Sequence, residues 1–334
     1  MKQKPIFGFP CSEKDASLVF LPVPWDATTS YGKGTSNGPE AILDASGQID
    51  TFDLEVGTPH AEGLHMREIE PEIVQKNHEA RKAAESVMSR YEESQPIDTL
   101  DPDLQKVNRL SREMNEWVYE NSRSILHSGK ALGIVGGDHS VPFGAFQAVA
   151  ETIPSFGILH FDAHFDLRNA YQGFEYSHAS IMHNAVESIP NLETLVSVGI
   201  RDFCREELEY QKLNREKIRP YFDLGLQESK QNGTPWVLIA QEIVSQLPEN
   251  VWVSFDIDGL DPKLCPNTGT PVPGGLDFAE ATAVLKHLVL SGRKLIGLDL
   301  VEVSPSVQDS SNEWDANVGM RLLYKMAGWL LKNK

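Results

Sequence analysis

Six short stretches of this chain are predominantly apolar and do not alternate with polar residues, and they limit its fold more than any other feature. They occupy residues 18–23, 131–135, 156–161, 194–200, 251–257 and 294–303. A strand with one face in water alternates apolar and polar residues, whereas a strand covered on both faces does not. Such runs therefore point to parallel strands packed between helices. Most of the intervening segments are long enough for the crossover helix that joins parallel neighbours, as at 236–247 and 278–290. The pattern predicts a three-layer α/β fold with a mostly parallel central sheet.

Residues 70–129 read differently, being charged, poor in strand signals and patterned for helices. Asp101 is placed to cap a helix whose first residue is Pro102. Leu104, Val107, Leu110, Met114, Trp117, Val118 and Ile125 follow at helical spacing, with Gly129 as the stop. A last helix from about residue 313 sets Trp314, Val318, Leu322, Met326 and Leu330 on one face. Both stripes are read as packing surfaces. No internal repeat, low-complexity tract or Pro/Ser-rich linker divides the chain, so residues 1–334 are expected to form a single domain carrying the helical 70–129 segment.

With 334 residues, 40% hydrophobic and 23% charged, the chain has material for a large core. A formal charge of −18 and the absence of basic clusters argue against a sequence-independent grip on nucleic acid. The acidity is read as a solubility device. Cys11, Cys204 and Cys265 are odd in number and scattered, which fits neither a disulfide scaffold nor a zinc cage and suits a reducing compartment. Pro5, Gly8 and Pro10 interrupt the opening segment before it could form a signal-peptide core, and no later run reaches the ~18 to 20 apolar residues of a membrane helix. A cytoplasmic protein with no membrane partner is expected.

Three motifs stand at the C-terminal ends of the apolar runs, where open α/β sheets hold their ligands. They are Gly136-Gly137-Asp138-His139-Ser140, Asp162-Ala163-His164-Phe165-Asp166, and Asp256-Ile257-Asp258 followed by Gly259. Residues two apart in a strand share a face and lie ~6.6 Å apart, so Asp162 and His164 should project together, as should Asp256 and Asp258. Ala163, Phe165, Phe255 and Ile257 then face the opposite layer. Asp162 and Asp166 would be ~13 Å apart in a continued strand, so the chain should curl near His164 and carry Asp166 on the loop beyond.

A lone Asp at a strand end is commonly a helix cap, and a lone His a satisfied polar residue. Five aspartates gathered at adjacent strand ends repel one another and lose hydration, which requires cations or raised pKa values. Mixed carboxylate and imidazole donors suit Mn²⁺, Co²⁺, Ni²⁺ or Zn²⁺, and the oxygen-rich set leans towards Mn²⁺. If His139, Asp162, His164, Asp166, Asp256 and Asp258 are the ligands, their four carboxylates offset the charge of two divalent ions. A water held between such ions becomes a nucleophile near neutral pH.

In this order the motifs resemble those of the arginase, agmatinase and formimidoylglutamase family, the ureohydrolases, whose signatures are GGDHS, DAHxD and SFDIDGLDP. Here the third reads Ser254-Phe255-Asp256-Ile257-Asp258-Gly259-Leu260-Asp261-Pro262. The match extends to Thr268-Gly269-Thr270-Pro271 with Gly274-Gly275, to Leu298-Asp299-Leu300-Val301-Glu302-Val303, and loosely to 36–42. The resemblance implies an α/β/α sandwich of the arginase-like kind and two Mn²⁺ per chain, with Ni²⁺ or Co²⁺ as alternatives. It also implies attack of hydroxide on a guanidino or formimino carbon, and a homo-oligomer, trimer or hexamer. By position, His139, Asp162, Asp166 and Asp256 would hold one ion and Asp162, His164, Asp256 and Asp258 the other. Asp138 would support the loop or orient His139. Glu302 corresponds to the carboxylate that receives the guanidinium. His178, in Tyr176-Ser177-His178-Ala179-Ser180, matches the histidine that moves protons to the leaving amine, although Ala179 replaces the usual glycine.

Substrate choice rests on fewer residues. Arg168 stands where many arginases carry Asn and reads either as a grip on a substrate carboxylate, as in formimidoylglutamases, or as a structural ion pair. Thr270 reads either as a substrate contact or as a loop hydrogen bond. The leading expectation is an agmatinase-like amidinohydrolase that releases urea from a small guanidino substrate. Arginase, guanidinobutyrase, guanidine hydrolase and formimidoylglutamase are the alternatives within the family. A metal-dependent deacylase and a non-catalytic binding relative are the alternatives outside it.

Overall fold

The computed structural model describes residues 4–309 and 311–333. Residues 1–3, the start of the opening segment read above for a leader, lie outside the described residues. All eight strands form one parallel sheet in the order β2-β1-β3-β8-β7-β4-β5-β6. The strands are β1 Leu18–Val23, β2 Leu64–Met66, β3 Ala131–Gly136, β4 Phe156–Phe161, β5 Leu192–Ile200, β6 Ile218–Phe222, β7 Asn250–Asp256 and β8 Lys294–Val301. The six apolar runs are six of these strands. The other two are the sheet edges, where cover on one side suffices: β2 has only three residues, and β6 contains Arg219 and Pro220, which an edge strand tolerates.

Successive residues of the inner strands feed opposite cores. Leu18, Phe20, Leu159, Phe161, Val253 and Phe255 pack with the helices α1 Gly38–Ala45, α8 Trp236–Ser245, α9 Phe278–Leu290 and α10 Trp314–Lys332. Val19, Leu21, Ile134, Ile158 and Leu195 pack with α2 Pro71–Glu92, α3 Pro102–His127, α4 Phe143–Thr152 and α5 Ile181–Ser188. Two further helices, α6 Arg205–Leu213 and α7 Asp223–Gln231, flank β6. This is the expected three-layer arrangement, α/β/α. The packing stripes hold with two exceptions: Trp314 is largely exposed, and Trp117 is half-buried and donates its indole N–H to Glu70 Oε2 at 3.0 Å.

The segment 70–129 is a pair of long helices. Asp101 caps α3 by accepting the N–H groups of Asp103 and Leu104 at 3.0 and 3.1 Å, and it is also paired with Arg90 of α2. The Arg90 hydrogen bond, followed by the backbone donors, draws its carboxyl down to about 2. A carboxyl depressed in the folded state stabilises above its unfolded value near 3.9, and that contribution disappears as pH falls through about 2. Asp101→Ala is therefore expected to lower the melting midpoint by roughly 2 °C at pH 7 and by markedly less near pH 2, as calorimetry at the two pH values would show.

Candidate metal centre

The four central strands β3, β8, β7 and β4 are neighbours, and each delivers one part of the site from its C-terminal end. His139 follows β3, Glu302 follows β8, Asp256 ends β7, and Asp162 follows β4. The paired motifs do not lie within strands as the two-residue spacing suggested. β4 stops at Phe161 and β7 at Asp256, so the second member of each pair sits in a turn. In both, the first carboxylate caps the backbone of the second residue: Asp162 Oδ1 accepts the His164 N–H at 2.6 Å, and Asp256 Oδ1 accepts that of Asp258 at 2.8 Å. These short Asx-type turns fold each pair back on itself more tightly than a strand would. Beyond them Asp166 lies on the loop, as expected, with a left-handed φ of 54°.

All six candidate ligands converge. His139 Nδ1 lies 2.9, 3.2 and 3.4 Å from carboxylate oxygens of Asp162, Asp166 and Asp256. His164 Nδ1 lies 3.3 Å from Asp162 Oδ1 and 3.2 Å from Asp258 Oδ2. The Ala163 N–H donates to Asp258 Oδ1 at 3.0 Å, which joins the second motif to the third. Of the four aspartates, none is more than 4% exposed.

Divalent cations fit this donor set. Burial, then the Asp162 charge, pushes Asp166 up to about 7, and burial with the charge of Asp258 raises Asp256 well above the carboxylate range. Burial opposes the charged form of His139, yet hydrogen bonds to Asp162, Asp166 and Asp256 carry it well above its ordinary value. His164 is raised likewise, by Asp258 and Asp162 against its burial. Protons thus occupy the positions that cations would neutralise. The tautomer agrees. Ser254 Oγ donates to Asp299 Oδ1 at 3.0 Å and so accepts from His139 Nε2 at 2.9 Å, which leaves Nδ1 facing the carboxylates, protonated in this structure and free to offer its lone pair to a cation that would replace the proton.

A polar row beneath the site was not anticipated. Ser197 of β5, His160 of β4, Ser254 of β7 and Asp299 of β8 are register partners across the sheet. His160 is hydrogen-bonded to Ser197 Oγ at 3.1 Å through Nδ1 and to Asp162 Oδ2 at 2.8 Å through Nε2. Asp299 also accepts the Trp252 indole N–H at 2.6 Å, and burial pushes it up to about 6. The sequence did carry a signal for this row, since His160 and Asp299 interrupt otherwise apolar strands. A second unanticipated residue, Arg201, donates to the carbonyls of Gly199, Asp258, Leu260 and Val272 and ties the third motif to the loop before Gly274.

The GGDHS loop is packed against its neighbours. A Cβ on Gly137 would lie 1.8 Å from the Trp25 carbonyl oxygen, so only glycine fits there. Asp138 does not reach His139. It accepts from the Ser140 N–H and hydroxyl at 3.0 and 2.5 Å and from Thr28 Oγ1 at 3.4 Å, so it braces the loop.

Glu302 has a left-handed φ of 60° and is held from two sides. Its N–H donates to the Gly137 carbonyl at 2.8 Å, while its Oε1 accepts the His139 N–H at 3.0 Å. The other oxygen, Oε2, is buried without a partner and faces Gly269, where a Cβ would stand 3.2 Å away. Burial, then the Asp256 charge, raises this carboxyl well above its ordinary range.

A cavity of about 160 Å³ opens onto the cluster, and His164, Asp166, Arg168, Tyr171, His178 and Thr270 are among its lining residues. His178 donates its N–H to Thr28 Oγ1 at 3.3 Å, and its Nδ1 has no partner. Burial, then the neighbouring His164, lowers its imidazole to about 3, so it is neutral near pH 7. Arg168 Nε stands 3.6 Å from Glu207 Oε2, and its guanidinium lies 4.8 Å over the Tyr171 ring. Thr270 Oγ1 donates to Asp258 Oδ2 at 3.3 Å while lining the cavity, so the structure contains the loop bond and leaves the hydroxyl within reach of a ligand.

Fold and site together define the class: an α/β/α protein whose parallel sheet gathers carboxylates and imidazoles into a cluster that could hold divalent cations. The sequence profile of the Arginase family matches residues 16–328, and the chain belongs to that family. It is 32% identical over 324 residues to an N(1)-aminopropylagmatine ureohydrolase of Thermus thermophilus, covering 95% of this chain and 94% of the relative. The corresponding protein of Synechocystis is 30% identical, covering 95% and 90%. Among solved structures, the agmatine ureohydrolase of Thermoplasma volcanium superposes with a TM-score of 0.75 at 24% identity over 99% of this chain and 96% of that one. Proclavaminate amidinohydrolase from Streptomyces clavuligerus also gives 0.75, at 22% identity over 100% and 99%. These two show the same fold.

Proposed function

We propose that this protein hydrolyses a guanidino C–N bond, releasing urea from a substrate of the agmatine type. The observation that carries this is Glu302 Oε2, a buried carboxylate oxygen without a partner beside the ligand cluster. A planar cation bearing several N–H donors is the ligand it suits. Family membership leaves the deacylase reading without support.

In this proposal His139, Asp162, Asp166 and Asp256 hold one Mn²⁺, and Asp162, His164, Asp256 and Asp258 hold the other. When bound, the pair activates water and offsets negative charge. Glu302 accepts guanidinium N–H groups and sets the carbon over the cluster. Hydrolysis forms a C–O bond to water, breaks the C–N bond to the alkyl chain, and delivers a proton to the departing amine. His178, neutral and lining the cavity, would take a proton released by the attacking water on a ring nitrogen and pass it to the departing amine.

The cavity mouth favours a cationic tail. Asp202 and Glu207 are among the cavity's lining residues, and the guanidinium of Arg168, also in the lining, is already engaged by Glu207 and Tyr171. The name of the two relatives, N(1)-aminopropylagmatine ureohydrolase, points the same way. A trimeric or hexameric homo-oligomer follows from the family resemblance and belongs to the proposal. So does a cytoplasmic setting, supported by three unpaired cysteines. Among the described residues no helix is long and apolar enough to cross a membrane.

The test is a screen of the Mn²⁺-reconstituted protein against agmatine, N(1)-aminopropylagmatine, arginine, guanidinobutyrate, guanidine and formiminoglutamate. Urea, formamide and ammonia are measured. Urea from the two amine-tailed substrates, at least about ten-fold faster in kcat/KM than from the carboxylate-bearing ones, is the expected result. Turnover confined to formiminoglutamate, or none at all, would overturn the reading.

A further inference from the structure

The helix pair α2–α3 contributes no residue to the ligand cluster or to the cavity lining, yet it grips two of the loops that wall the cavity. We propose that this pair is a clamp that sets the shape of the substrate pocket, with Arg81 and Asn108 as its positioning residues.

The first wall, residues 26–34, contributes Ser30 to the cavity lining. Three side chains on one face of α2 reach it. Arg81 Nη1 donates to the Asp26 carbonyl at 3.1 Å, the Thr29 carbonyl at 2.5 Å and Thr29 Oγ1 at 2.7 Å. Asn77, buried one helical turn earlier, accepts the Asp26 N–H at 2.9 Å and donates to Asp26 Oδ1 at 3.0 Å. One turn later Glu85 pairs with Lys33 at 2.5 Å. Asp26 Oδ2 in turn accepts the N–H groups of Gly34 and Ser36 at 3.2 and 3.4 Å, which closes the loop on itself.

The second wall, residues 169–178, contributes Tyr171 and His178. It makes a two-residue turn in which Gln172 and Gly173 have φ of 54° and 87°, the mirror-image form that reverses a chain most tightly. Asn108 of α3 holds this turn with both ends of its amide, donating to the Gly173 carbonyl at 3.1 Å and accepting the Glu175 N–H at 3.0 Å. Phe174 is driven between the two helices into a small apolar cluster with Ala84, Val87, Leu104 and Val107, separate from the main cores. The walls also meet directly, through the His178 N–H and Thr28 Oγ1.

Loops are ordinarily the most mobile parts of such a fold. Here two pocket walls, far apart in sequence, are bonded to one rigid helical element. A change in the length or tilt of the pair would move both walls together. The segment 70–129 is thereby assigned to substrate selection.

The proposal takes the cavity as the substrate pocket and so rests on the proposed function. Arg81→Ala, Arg81→Lys and Asn108→Ala should be compared with wild type for KM, kcat, bound metal and hydrogen exchange of peptides spanning 26–34 and 169–178. Arg81→Ala should raise KM about ten-fold, with kcat changed by no more than about three-fold and metal content unchanged. Exchange in 26–34 should accelerate while the central strands stay protected. Arg81→Lys should restore most of the KM, because an ammonium can still donate to the same carbonyls. Asn108→Ala should do the same to exchange in 169–178. A lower melting midpoint with unchanged KM would overturn the clamp and leave a brace of stability only, as would unchanged exchange in both loops. If wild type hydrolyses no guanidino substrate, the proposed function fails while the exchange measurements still decide the clamp.

Discussion

Asp162→Asn is expected to abolish hydrolysis, lowering kcat/KM by about 10³-fold or more, and to reduce bound metal from two ions per chain to one or fewer. Asp162 is the hub of the cluster: its oxygens meet His139 Nδ1, His160 Nε2, the His164 N–H and His164 Nδ1 within 2.6 to 3.3 Å. Asparagine keeps the shape and the acceptor for the His164 turn but removes the charge, and its amide N–H₂ points donors at two imidazoles. Ion-derived stabilisation is worth several kcal/mol, which corresponds to three or more powers of ten in rate. Elemental analysis of dialysed protein beside steady-state rates would check both halves. Two retained ions with near-normal turnover would remove Asp162 from the proposed ligand set.

The sequence made the sheet and the ligand cluster legible because both are local signals. Stretches such as 18–23 and 131–135 are apolar without interruption, so their burial on both faces needs no knowledge of neighbours. The DAHFD and DID motifs likewise announce themselves by spacing, although their true geometry is an Asx-type turn, which a strand model places too far apart. The alignment of the polar row beneath the site was hidden for the opposite reason, although His160 and Asp299 each stand out within an apolar strand. Ser197, His160, Ser254 and Asp299 are widely separated in the chain, and only the register of β5, β4, β7 and β8 brings them into line. Edge strand β6 escaped notice because Arg219 and Pro220 are tolerable only where one side of a strand is free, and sheet order is a tertiary property. Arg201 and Arg81 belong with these, since a guanidinium that binds backbone carbonyls leaves no trace in composition or periodicity.

Glu302→Gln separates substrate recognition from metal binding more cleanly than any ligand change. Glutamine can keep the Oε1 acceptor for the His139 N–H, so the GGDHS loop and His139 should stay in place. At Oε2 the substitution turns an acceptor into a donor facing a guanidinium that has only donors to offer. Truncating one member of a buried charge pair costs about 2–5 kcal/mol, so kcat/KM for the guanidino substrate should fall by roughly 10² to 10³ while both ions remain bound. Stability should move the other way. The native carboxylate is buried beside Asp256 and Asp258 with one oxygen unpaired, and burying uncompensated charge is unfavourable. The metal-free variant should accordingly melt no lower than metal-free wild type. A residue that merely ended a strand with a structural ion pair would show the reverse pattern, losing stability while sparing the kinetics. Steady-state rates, elemental analysis and calorimetry on the same preparation therefore decide whether the strained backbone at Glu302 is there for the substrate.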